Sequence, residues 1–74
     1  MRDFEQLILR WPTVADFARD IGVPYETARK MRTRNNIIHE HWSDVLAAAR
    51  DRGIELTLED LMRLSRRRRR MRAA

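Results

Sequence analysis

The sequence predicts an all-α fold: a compact bundle of about five short helices with a basic C-terminal tail. Three observations predict it. Apolar residues recur at helical spacing in successive short stretches. Helix-capping and helix-stopping residues punctuate those stretches. Alternation of apolar and polar residues appears only at Ile54-Glu55-Leu56, too short to argue a sheet. Seventy-four residues make one small domain of marginal stability. With no cysteine, no disulfide or thiolate-bound metal staples it, so helix packing or dimerisation must supply the stability.

The first helix is expected over Asp3–Trp11. Phe4, Leu7, Ile8 and Trp11 form one apolar stripe, and Pro12 disfavours helical geometry at Trp11. Thr13, with Asp16 three residues on, predicts the cap of a second helix over Val14–Asp20. Gly22 supplies the positive φ of a tight turn. Pro24 and Tyr25 then open a third helix, with Ala28 and Met31 facing inward, and Asn35 and Asn36 stop it. A fourth helix is expected over Ile38–Arg52, its stripe being Ile38, Trp42, Val45, Leu46 and Ala49, with Gly53 just past its end. Ile54-Glu55-Leu56 reads as a short link. Thr57 and Asp60 cap a fifth helix carrying Leu58, Leu61, Met62 and Leu64.

Charge is unevenly distributed. Residues 1–62 hold nine Arg or Lys and all eleven acids, whereas residues 63–74 hold seven Arg and no acid. The expected division is therefore a domain over residues 1–65 and an Arg-rich flexible tail over 66–74. The tail is expected to be frayed without a partner, because its adjacent like charges repel.

The stretch Val14–Thr33 organises the rest. Ala18 lies four residues before Gly22, with Phe17, Ile21, Val23, Ala28 and Met31 at the apolar positions around them. This pattern resembles the helix-turn-helix of small Cro- and repressor-type regulators of phages and bacteria. The following stretch, Arg34–Trp42, also resembles the segment after the recognition helix in phage-type members, although this chain has Ile37-Ile38 where those often have Ile-Pro. The resemblance implies a sequence-specific transcriptional regulator, a repressor that occupies an operator in double-stranded DNA.

Groove chemistry assigns roles to the outward residues of the third helix. Arg29 has the fork to reach guanine O6 and N7. Tyr25 and Thr27 suit a thymine methyl or a phosphate. Glu26 suits a cytosine amino group or, by slight preference, the cap of its own helix. Thr33 lies further along the same face. Lys30, Arg32 and Arg34 suit phosphates, as do the N–H groups that start the second helix at Thr13 and Val14. Arg66, Arg67, Arg68, Arg69 and Arg70 are read first as an arm on DNA phosphates, and alternatively as an RNA-binding segment or a solubilising tail.

One such helix reads few base pairs, so a homodimer on a pseudo-palindromic operator is expected. The surplus apolar residues of the fourth and fifth helices, with Ile54 and Leu56, are the candidate dimer surface. His39 and His41 are two residues apart on a helix and cannot share a metal easily, so no metal site is expected. No catalytic constellation is legible, and no enzyme activity, cofactor or small-molecule ligand is expected. Trp11 and Trp42 are expected in the core. No apolar run reaches the length of a membrane span, so a cytoplasmic, nucleoid-associated protein is expected. The competing class is a protein-interaction module, such as an antitoxin or anti-activator gripping a partner through the fourth and fifth helices.

Overall fold

The computed structural model describes residues 1–73, with side chains as far as Arg70. Ala74, the last residue of the expected tail, lies outside the described residues, as do the side chains of Met71, Arg72 and Ala73. The chain is a compact all-helical bundle of five α-helices: α1 Phe4–Ile8, α2 Val14–Ile21, α3 Tyr25–Thr33, α4 Trp42–Asp51 and α5 Leu58–Ala73. A single 3₁₀ turn, His39–His41, precedes α4. Among the described residues no helix is long and apolar enough to cross a membrane.

Local chemistry sets the helix starts. The Asp3 carboxylate accepts the Gln6 N–H at 2.8 Å and opens α1. The Thr13 hydroxyl accepts the Asp16 N–H at 3.0 Å and opens α2. At α5 the box is reciprocal: Thr57 Oγ1 accepts the Asp60 N–H at 3.1 Å, and Asp60 Oδ2 accepts the Thr57 N–H at 3.0 Å.

Three helix ends share one device. A residue with positive φ follows the helix at Gly22 (76°), Asn35 (52°) and Gly53 (73°). The next residue's N–H then reaches back five positions, from Val23 to Ala18, from Asn36 to Met31 and from Ile54 to Ala49, at 2.8–3.0 Å. This is the Schellman motif, and it satisfies carbonyls that a helix end would otherwise orphan.

The core draws on every helix. Phe4, Leu7, Phe17, Ala28, Ile37, Val45 and Leu61 are essentially inaccessible. α3 packs on both α1 and α2, α2 also packs on α4, and α5 packs on α4. Trp11 and Trp42 are both core residues, as expected. Trp11 sits edge-on to Phe17, with ring centroids 4.9 Å apart. Trp42 donates its indole N–H to the Ile37 carbonyl at 2.8 Å, so its polar edge is satisfied.

Four expectations need correction. α1 stops at Ile8, three residues short of Trp11. Ahead of Pro12, the Arg10 and Trp11 N–H groups bond carbonyls three residues back, which tightens the chain out of α-helix. The fourth helix starts at Trp42 and not at Ile38, whose ψ of 152° is extended. That break in register buries Ile37 and leaves Ile38 exposed. On α5, Leu61 and Leu64 face inward, while Leu58 and Met62 are exposed. Finally, residues 66–73 continue α5 where a separate frayed tail was expected. Once a helix is nucleated, each further residue adds a hydrogen bond, and Arg is a good helix former that also favours the negative end of the dipole.

Candidate nucleic-acid interface

The α2–α3 unit presents the residues of interest. Its two helices are joined by Gly22, Val23 and Pro24. Ala18, small and buried, lies on α2 four residues before the turn, and Val23 packs partly buried against the core. α3 is thus held at both ends, by the glycine turn before it and by the Asn35 stop after it. The Asn35 side chain also accepts the Glu5 N–H at 2.9 Å, tying the end of α3 to the start of α1.

At 3.6 residues per turn, burial of Ala28 and Met31 sets the inward side of α3. Glu26, Arg29, Lys30 and Thr33 then face directly outward, and all four are exposed. Tyr25 and Arg32 flank this strip on one side, and Thr27 and Arg34 on the other. Arg32 and Arg34 therefore occupy opposite edges of the strip, because two residues on a helix turn the side chain by about 200°. Tyr25 is half exposed, and Thr27 is partly buried.

Two placements refine the expected roles. Glu26 makes no capping hydrogen bond; the cap position of α3 is Pro24, which has no side-chain donor or acceptor. The Glu26 carboxylate instead faces the Arg29 guanidinium at 3.4 Å, and both side chains are well exposed. A pair of this kind is weak in water and leaves Arg29 available to a better acceptor. The start of α2 comes close to α3: Thr13, Val14 and Ala15 line one surface groove with Tyr25 and Arg32. The Thr13 hydroxyl in that groove is already committed to the α2 cap, so its N–H neighbours are the free donors there.

The arginine run is not a single surface. Arg66 and Arg69 line a groove with Ile38, Trp42, Leu58 and Met62. Arg63, Arg66, Arg67 and Arg70 line another with Arg2. Arg68 is partly buried. Sequence reasoning missed Arg2 and Arg63. Arg63 stands three and four residues before Arg66 and Arg67, a signal legible only if the helix is taken to continue through the run.

Asp20 supports the unit from behind. Its carboxylate accepts the Trp11 indole N–H at 2.9 Å and pairs with the Arg52 guanidinium, so the end of α2 is tied to the α1–α2 link and to the end of α4. Hydrogen bonding from Arg52, joined by that of Trp11 and by the positive charges of Arg52 and Arg19, holds the Asp20 carboxyl below its ordinary pKa; burial opposes this. His39 lies against the Trp42 ring, centroids 4.7 Å apart. No cluster of three or more metal-ligating side chains occurs among the described residues.

Comparison with protein-family models, curated proteins and solved structures finds no match to this chain.

Proposed function

We propose that the chain is a sequence-specific DNA-binding regulator, a repressor of the Cro type, with α2–α3 as its helix-turn-helix and α3 as the recognition helix. The observation that carries this reading is the outward strip of α3. Arg29 and Lys30 are exposed on it, Arg32 and Arg34 mark its two edges, and the helix is fixed at both ends. A rigid cationic helix suits entry into a major groove, where an Arg fork pairs with guanine. The groove joining Tyr25 and Arg32 to the start of α2 supports a phosphate contact beside the read bases, made by helix N–H groups and Arg32 together.

In this reading Arg29 and Thr33 face base edges, and Tyr25 and Thr27 contact thymine methyls or sugar-phosphate at the margins. Lys30, Arg32 and Arg34 set register on the backbone. Two copies bind a pseudo-palindrome. Ile54 and Leu56 are partly buried against their own core, so Leu58 and Met62 on α5 are the better dimer contacts. Occupancy of a promoter is sufficient for repression, and the reading requires no ligand or cofactor.

Selection from a pool of randomised duplexes tests the proposal. The expected result is an enriched pseudo-palindromic motif with half-sites about one helical turn apart. Arg29→Ala should weaken binding to that motif by about 1–3 kcal/mol and relax one base position in each half-site. No enrichment with the intact chain, or unchanged selectivity in Arg29→Ala, overturns the assignment.

A further inference from the structure

We propose that the groove between the N-terminal segment and α5, walled by Arg2, Arg63, Arg66, Arg67 and Arg70, is a second DNA contact: a built site for the phosphate backbone. It rests on the DNA-binding reading above but lies off the α3 strip, and it needs no base sequence.

The residues are organised as a surface. Arg63, Arg66, Arg67 and Arg70 are spaced three and four apart, so continuous helix brings them to one side of α5. Arg2 enters from a separate segment and closes the groove. That segment is fixed: the Arg2 N–H donates to Gln6 Oε1 at 2.7 Å, and the adjoining start of α1 is bonded to Asn35 at the end of α3. The groove therefore keeps a set position relative to the recognition helix.

Among the described residues no acid lines the groove. Asp60 meets Arg63 at 3.2 Å and also accepts the Thr57 N–H in the α5 cap, and Arg66, Arg67 and Arg70 follow Arg63 at spacings of three and four along the same helix. Like charges at this helical spacing oppose one another, and a bound polyanion removes that repulsion. The dimensions fit a nucleic-acid strand. Arg63 to Arg70 spans about 10 Å of helix, and a strand of duplex DNA carries one phosphate per roughly 3.4 Å of axis. About three phosphates lie within reach. A membrane surface fits less well, because a helix lying on lipid needs an apolar face beside its basic one. Here Leu64 at the groove is buried, and beside the basic face the described part of α5 exposes only two large apolar side chains, Leu58 and Met62, both near its start.

The test measures affinity for a short duplex of arbitrary sequence as a function of salt. The Arg2→Gln/Arg63→Gln double variant leaves the whole Arg66–Arg70 run intact. It should flatten the slope of log K against log salt by about 1.8, at roughly 0.9 for each phosphate no longer neutralised. Arg2→Gln alone, which leaves α5 untouched, should flatten it by about 0.9 and serves if the double variant loses helix by circular dichroism. A slope unchanged in both, but flattened by Arg66→Gln/Arg67→Gln/Arg70→Gln, means a simple charged arm and overturns the groove. Binding to phosphatidylserine vesicles without binding to duplex overturns it in favour of a membrane. The two proposals fail separately: loss of sequence selectivity with a groove-dependent salt slope sinks the α3 reading only, and the converse sinks the groove only.

Discussion

α3 and α5 are both cationic helices, and they are held in different ways. α3 is short, packs on two other helices, and lies between two left-handed residues: Gly22, which caps α2 ahead of it, and Asn35 after it. α5 is long, is capped strongly at its start, and packs on α4, with Leu61 and Leu64 in the core; among the described side chains its buried apolar residues end at Leu64, while the helix runs on to Ala73. Under the proposed function the same side-chain chemistry would serve two purposes. Readout of a base edge would need a closely placed guanidinium, and a helix framed like α3 suits that. Neutralising phosphates would need charge density along a line more than exact placement, and a helix of arginines suits that.

The comparison is tested first at the core. Phe17→Ala removes a fully buried ring beneath the α2–α3 unit and should cost about 3–5 kcal/mol. A chain with roughly 0.05–0.15 kcal/mol of stability per residue has little reserve against such a loss. Urea denaturation should find this variant largely unfolded. Leu64→Ala should fall near the lower end of the about 2–5 kcal/mol range for such truncations, because one helix and not two loses its packing. If Leu64→Ala proves the more damaging, α5 is as deeply anchored as α3 and the contrast fails.

A smaller effect is expected at the turn. A Cβ on Gly22 would meet nothing within 4 Å, yet φ there is +76°. The penalty of Gly22→Ala is therefore one of backbone conformation, about 1–2 kcal/mol. In a domain of this size that lowers Tm by roughly 4–16 °C with helix content kept. An unchanged Tm would mean that α3 does not depend on the turn geometry.

The smallest effect is expected at Asp20, behind the unit. Its carboxyl pKa is held down in the folded chain, so its contribution is present above the unfolded value of about 3.9 and is lost as pH falls through the lower folded value. Asp20→Asn lacks that contribution at every pH. The variant should melt a few degrees below the parent at neutral pH, and the gap should close below about pH 4. A gap that persists into strong acid would assign the effect to packing and not to the Arg52 pair.

Much of the fold is legible in the chain itself. Thr13–Asp16 and Thr57–Asp60 announce helix starts, and Gly22, Asn35 and Gly53 announce helix ends, because a cap or a positive φ is satisfied within a few residues of chain. The outward strip of α3 is legible for the same reason, since Ala28 and Met31 fix the inward side and helical geometry does the rest. The errors fall where distant parts of the chain decide. Ile37 and not Ile38 enters the core, because a single extended residue resets the register and only packing selects which neighbour is buried. Leu58 and Met62 stay exposed for a related reason: periodicity admits several stripes on α5, and packing into the common core selects Leu61 and Leu64.

The sequence by itself determined an all-helical chain, its caps and turns, and the concentration of positive charge in α3 and the C-terminal run, since those depend on local geometry and composition. Only the tertiary structure decided that Arg32 sits beside the start of α2, that Asp20 ties Trp11 to Arg52, and that Arg2 closes a groove with α5. Each of these joins residues separated by 9 to 32 positions or more, and such meetings depend on how whole helices pack against one core.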